Sequence, residues 1–358
     1  MLDLTLQIGG AAHGGWTDIN VRRSLEEIAG SFQLGLTERW PEHQEPLVIQ
    51  PGAACSVKLG ATTVITGFID SSEHQVDARQ HSLQVSGRDA TADLVDCSAV
   101  YAKGEWRNSK IDQIARSLLQ PFGISVSTHG DMGHAFPAFA LEPGEMVFDA
   151  LERAARQRGL LLVSDGRGGL VIGRAGAKKV RTALRMGDNL LYAQVRNDNS
   201  MRHSQYTVLG QRAGSDQVYG AAAAQVRATA TDAGVTRYRP LVLIDEDQGD
   251  IAGFQRRAKW EATVRAARAL TYTAVVSGWE HADGLWEPNS LVQVYDRVLR
   301  VDRELLVREV DYILDPLNGQ ISQLGLVPVE AYSLLEMPVK KKGPGRKNRR
   351  DDEWDPLS

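Results

Sequence analysis

Carboxylates are the first place to look for chemistry in this chain. The run "DEDQGD" places Asp245, Glu246, Asp247 and Asp250 close together. Paired carboxylates can hydrolyse glycosides when one is held protonated and the other ionised. A calcium loop needs oxygen ligands at its first, third and fifth positions and a Glu at the twelfth. Counted from Asp245, Gly249 stands fifth and Arg256 twelfth, so the run fails that test. It reads as a solvated acidic turn before a helix over 251–270, where acids favour the helix N-terminus. The histidines at 13, 43, 74, 81, 129, 134, 203 and 281 form no HExxH and no Cys/His ligand spacing. His129 and His134 are neighbours, but "THGDMGHAF" reads as a loop. "SDGRGGLVIG" has the glycines of a phosphate loop without its Lys, and it sits between two strands as a hairpin turn. GxSxG elbows are absent. No catalytic residue, cofactor or metal is expected.

Two further places invite a binding role. Trp279 and Trp286 bracket "EHADGL", so they either stack on sugars or bases or pin a tight hairpin. In "LQVSGRDATADLVDCS", residues 83–98, a strand of period two runs into Gly87, Arg88 and Asp89 and then one helical turn. The strand is expected to end at Gly87, with Asp89 capping the turn. Arg88 would pair with a carboxylate, locally or across a subunit interface, where its planar fork suits fixed geometry. Gly87, Arg88, Asp89 and Asp96, with Trp279 and Trp286, are therefore read as structural junction or interface positions.

The elements that must position these residues are mainly β. Alternation over Leu2–Ile8, Phe32–Leu36, Val57–Leu59, Val64–Ile69 and His81–Val85 predicts a barrel or sandwich. The middle changes character. Ser109 is a candidate N-cap for a helix "KIDQIARSLL" that Pro121 stops, and "GISVS" follows as a strand. The same unit recurs in "VFDALERAARQRGLLLVS", about 36 residues on when Gly123 is set on Gly159. From about 180 the chain is β again, interrupted by a polar, Ala-rich stretch and the 251–270 helix. One longer repeat stands out. Pro51, Val57, "VITGFID" and "LQVSG" follow the same order as Pro288, Val294, "LLVREVDYIL" and "SQLGLVP". The expected architecture is two related β-barrel domains plus a small α+β domain: 1–98, then 99–178, then 179–335 with an insertion at about 210–270, and a charged tail at 336–358.

Composition narrows the class. A chain of 358 residues with 42% hydrophobic and 24% charged residues is an ordinary globular protein. Residues 340–358 hold seven Lys/Arg and four acids, a net of +3, which leaves −7 for the rest out of the total of −4. An acidic body lacks the cationic surface of a nucleic-acid binder. Nothing resembles a signal peptide or a membrane span, and Cys55 and Cys97 are expected as free thiols. The tail is too broken by Gly and Pro to build a core, so its removal should leave the fold intact.

Five segments, in order, resemble the baseplate hub proteins of contractile-tailed phages of the phage Mu type. They are "VSGRDATADLVDCSA", "QIARSLLQPFGISV", "ALERAARQRGLLLVSDGRGGLVI", "VSGWEHADGLWEPNSLVQVYD" and "LLVREVDYILDPLNGQISQLGLVPVEAY", and the similarity covers roughly residues 1–335. The resemblance implies a non-enzymatic homotrimer whose six barrels form a pseudo-sixfold ring. Its implied partners are a central spike protein and the tail tube or adjacent baseplate proteins. Phage DNA would pass without specific binding, there would be no membrane insertion, and the protein would sit in the virion tail baseplate after assembly in the host cytoplasm. Two other readings remain open at this point. One is a peptidoglycan hydrolase using acids such as Asp245 or Glu280. The other is a cell-wall-binding module in the helix–strand repeat at 109–163.

Overall fold

The computed structural model describes residues 2–38, 48–76, 81–176, 178–211, 226–248, 251–315, 317 and 319–333. Along the first part of the chain run β1 (Leu4–Ile8), β2 (Ala11–His13), β3 (Asp18–Ser24), β4 (Ser31–Glu38), β5 (Ala54–Leu59), β6 (Thr62–Val76) and β7 (His81–Asp89). A short 3₁₀ turn and α1 (Asp93–Asp96) follow. The middle holds β8 (Glu105–Ser109), α2 (Ile111–Leu119), β9 (Ser125–Thr128), β10 (Phe136–Ala140), α3 (Val147–Arg156), β11 (Leu161–Ser164) and β12 (Gly169–Gly173). Next come β13 (Lys178–Lys179), β14 (Leu184–Arg185), β15 (Leu190–Asn197), β16 (Gln205–Gln211), β17 (Val226–Thr231), β18 (Pro240–Gln248) and α4 (Ile251–Arg268). The chain ends in β19 (Leu270–Ser277), β20 (Glu280–His281), β21 (Gly284–Leu285), β22 (Ser290–Asp296), β23 (Val301–Asp315) and β24 (Gly319–Val327).

The protein is mainly β with a small helical part, and both ends of the chain share one 14-stranded sheet. Its order is β15-β19-β24-β23-β3-β4-β7-β6-β5-β1-β2, with β22 on the far half of β23 and β13 and β14 on β22. The two expected barrels are not separate closed objects here; among the described residues no sheet closes on itself. The reason is the antiparallel pairing of β3 with β23, which welds the halves edge to edge. Beneath the weld, Leu6, Val21 and Leu34 from one half share a single core with Tyr272, Val310 and Leu324 from the other.

A second core belongs to the α+β middle. On α2, Ile111, Ile114, Ala115 and Leu118 form a buried stripe at helical spacing, and on α3 Val147, Ala150, Leu151 and Ala154 repeat it 36 positions later. Each buried Ile or Leu contributes roughly 1.5–3 kcal/mol of burial. Both helices lead into strands at the same interval, β9 and β11, and β12 pairs with both of them. Ser109 does not cap α2. Its hydroxyl is spent on the Arg107 carbonyl 3.0 Å away, and Lys110 occupies the cap, its N–H held by the Gln113 side chain at 2.9 Å.

Strands flank the Ala-rich stretch, of which residues 212–225 lie outside the described residues. β17-β16-β18 form a small sheet under α4, with Val208, Val226 and Ala228 against Phe254 and Ala258. The expected acidic turn is instead the end of a strand as far as Gln248. Residues 249–250, the side chains of Asp245–Gln248, and the 336–358 tail lie outside the described residues.

Candidate assembly site

Gly87, Arg88 and Asp89 do three different jobs at the end of β7. The strand does not stop at Gly87: it continues to Asp89, with Gly87 paired to Phe32 on one side and Ile69 on the other. Glycine is needed there for closeness. A Cβ would lie 2.3 Å from the Phe68 carbonyl oxygen and 2.6 Å from the Phe32 ring.

Alternation then sends Arg88 to the face away from the core. Its guanidinium spans Asp70 at 2.7 Å and Asp96 at 2.8 Å, so it ties β6 to α1. Asp70 is available because it sits at a bulge: the β6–β7 register shifts between Ile69 and Ser71. Hydrogen bonding to Arg88 holds the Asp96 carboxyl below its ordinary range. All three side chains are about half exposed, so this network orients more than it stabilises.

Asp89 points the other way and is 1% exposed. Its carboxylate caps the 3₁₀ turn by accepting from the Thr91 N–H at 3.1 Å, and it accepts from the Ser164 hydroxyl at 3.0 Å. Thr91 in turn reaches the Ile28 carbonyl at 2.9 Å, and Arg23 reaches the Ser164 carbonyl at 3.1 Å. Burial pushes the Asp89 carboxyl up, opposed by these hydrogen bonds. The result is a buried polar knot where the last strand of the first meander meets the end of β11.

Trp279 and Trp286 are buried, 1% and 2% exposed, so neither offers a surface for sugars or bases. They pin the β20–β21 hairpin: the Trp286 N–H donates to the Trp279 carbonyl, and the Trp279 indole donates to the Ile313 carbonyl at 3.1 Å. Glu280 lies exposed on that hairpin. Among the described residues no three His, Cys, Asp or Glu side chains cluster as a metal site would require.

Sequence reasoning missed the other half of the site, the weld itself. Across it Arg22 donates to Glu309 at 2.7 Å and to Asp311 at 3.3 Å. Burial pushes the Asp311 carboxyl up, and Arg22 offsets this. The i, i+2 spacing of Glu309 and Asp311 on a strand puts both on one face, but only the register sets Arg22 opposite them.

The longer repeat is visible strand by strand. β5-β6-β7 and β22-β23-β24 are both antiparallel meanders, each with a 15-residue middle strand followed by one of nine residues. Each middle strand carries a bulge, at Asp70 and at Arg308. Each meander leads into a 3₁₀ turn, the first capped by the Asp89 side chain and the second preceded by Pro328 with no side-chain cap. The neighbours match too. Val21, Phe32, Gly87 and Ile69 lie across four adjacent strands, as do Val195, Tyr272, Leu326 and Val307.

Comparison with known proteins shows the family. Four family models match in succession. They are the N-terminal part of the Mu phage baseplate assembly protein GpP-like family (residues 3–89) and the second domain of the baseplate hub protein gp44-like family (91–174). The third domain of the tail protein NMB1110-like family (202–260) and the fourth domain of the GpP family (251–335) follow. The baseplate hub protein gp44 of Escherichia phage Mu is 37% identical over 356 residues, spanning 97% of this chain and 92% of that protein. Among solved structures, the 43 kDa tail protein of prophage MuSo2 from Shewanella oneidensis superposes with a TM-score of 0.84 at 33% identity, covering 93% of this chain and all of that one. The tail protein from Neisseria meningitidis MC58 gives 0.78 at 24% identity, covering 93% and 99%. The chain belongs to the family of the phage Mu baseplate hub protein gp44.

Proposed function

We propose that this baseplate hub protein is a structural, non-enzymatic homotrimer. Its two meander units per chain close into a six-unit ring that joins the central spike to the tail tube and lets DNA through. The observation that carries the reading is the repeat: β15-β19-β24-β23 continues into β3-β4-β7-β6 as two equivalent four-strand runs. Three chains with two such units offer six similar surfaces to a sixfold tube while keeping threefold symmetry for a spike.

The face of this sheet away from the core is the proposed channel wall. It exposes Asn20, Gln33, Ser71, Glu73, Gln75 and Gln84, with Asp18 and Asp70 beside them. Arg22, Arg88 and Arg196 share this face, each already paired with acids: Glu309 and Asp311, Asp70 and Asp96, and Asp198. Uncharged amides and hydroxyls with a surplus of acids repel phosphates weakly and offer them no row of cations to hold. On this reading each unit is a barrel-like module only within the assembled ring, and the α+β middle and the β16–β18 module stand outside the wall. The protein then works in the virion tail, after assembling in the host cytoplasm.

The test is electron microscopy of the purified protein alone and with its tail-tip partners. End-on views should show a ring with three identical subunits and six similar lobes around an open centre. Particles without a central opening would contradict the reading. So would retention of double-stranded DNA by the ring at about 0.15 M salt.

A further inference from the structure

We propose that the ring closes by pairing β15 of one chain with the Ser71–Val76 half of β6 in a second copy, Arg196 lying opposite the partner copy's Glu73; this rests on the trimeric reading above. The weld inside the chain supplies the template. In it, β23 pairs along one side with β24, and along the other with β22 up to Leu306 and with β3 from Glu309. β6 repeats this arrangement with β7 and with β5 as far as Phe68. Past its bulge, however, no described strand lies on that second side. β15, the counterpart of β3, likewise has β19 on one side and no described strand along Tyr192–Asn197 on the other. A long unpaired strand edge is an association surface unless something covers it.

The register follows from the correspondence. In the weld, Asp311, three residues past the Arg308 bulge, faces Arg22. Three residues past the Asp70 bulge is Glu73, and the counterpart of Arg22, one residue beyond Val21, is Arg196, one beyond Val195. Charge is thus complementary in the same sense as Arg22 with Asp311.

Burial shows what is missing. Val21 is fully buried under the weld, whereas Val195 is only half-buried. Leu314 packs against the core, whereas its counterpart Val76 is 67% exposed. The Arg196 side chain is 76% exposed and pairs with Asp198, one residue past the end of its own strand. A head-to-tail contact of this kind leaves no free edge when the rotation closes.

The experiment uses the full chain carrying Cys97→Ser, since Cys55 is buried. Gln75→Cys with Gln194→Cys places two thiols directly opposite across the proposed pairing, where Cβ atoms lie about 4.5–5.5 Å apart. Mild oxidation should link chains into a ladder ending at three. The shifted pair Gln75→Cys with Tyr192→Cys, diagonal at roughly 7–8 Å, should link them poorly. Independently, Arg196→Glu should abolish the threefold species, and Arg196→Glu with Glu73→Arg should restore it. A threefold mass without cross-linking by the first pair, or with cross-linking by the shifted pair alone, would overturn the pairing and leave the trimer standing. A monomer under all conditions would instead overturn the ring reading itself.

Discussion

Replacing Asp89 by Ala tests the knot between the sheet and the α+β core. The change removes the cap on the 3₁₀ turn, which costs about 1 kcal/mol for a capping side chain. It also strips the buried Ser164 hydroxyl of its acceptor, at roughly 1–3 kcal/mol for an unsatisfied group. A loss near 3 kcal/mol is expected, because removing a buried carboxylate returns part of the cost. That return has a sign in pH. Burial raises the folded-state pKa of Asp89, so the stability it contributes is full below the unfolded value and falls as pH rises through the folded one. The gap between the wild type and Asp89→Ala should therefore narrow from pH 4 to pH 7. Ser164→Ala alone should cost about 1 kcal/mol, and the double variant should show a coupling of about 1 kcal/mol. The assay is urea unfolding followed by tryptophan fluorescence. Trp106 lies in the α+β core and Trp279 and Trp286 in the main one. A coupling near zero would refute the knot as the link between the two cores.

Three more outcomes follow from the same packing. Gly87→Ala should lower stability by about 2–3 kcal/mol, seen as a drop in urea midpoint, because its Cβ meets backbone and ring atoms that cannot give way. Leu118→Ala should cost about 3 kcal/mol and speed hydrogen exchange in α2 and α3 while sparing β3 and β23, since Leu118 belongs to the second core alone. Arg202 holds the Asp232 carboxyl below its ordinary range through a two-pronged hydrogen bond. The stability this gives is present above the unfolded carboxylate pKa of about 4 and lost as pH falls through the lower folded value. Arg202→Met should flatten the fall in melting temperature between pH 5 and 3, measured by calorimetry.

Much of this was readable from residue patterns. The 36-residue helix–strand repeat is written in Ile111, Ile114, Ala115 and Leu118 against Val147, Ala150, Leu151 and Ala154, because a buried helical stripe needs that spacing whatever surrounds it. The longer repeat showed as two similar apolar triplets, and the family resemblance pointed to the right proteins. What stayed hidden depends on register and on close approach. Nothing local tells that Gly87 lies within β7 instead of ending it, since the constraint comes from the Phe32 ring on β4. Asp70 could not be matched to Arg88 without the bulge that presents it, nor Arg22 to Asp311 without the weld. The tryptophans were legible as hairpin pins or as exposed platforms, and only burial decides between these. The insertion was under-read because alanine and polar residues hide strands whose packing partner, Phe254, lies on a later helix.

The most direct test of the account is the native mass of the purified protein over a wide concentration series. The ring predicts a species at three times 39.2 kDa that persists on dilution into the micromolar range. A single species at 39.2 kDa at every concentration, with and without the spike, would contradict it.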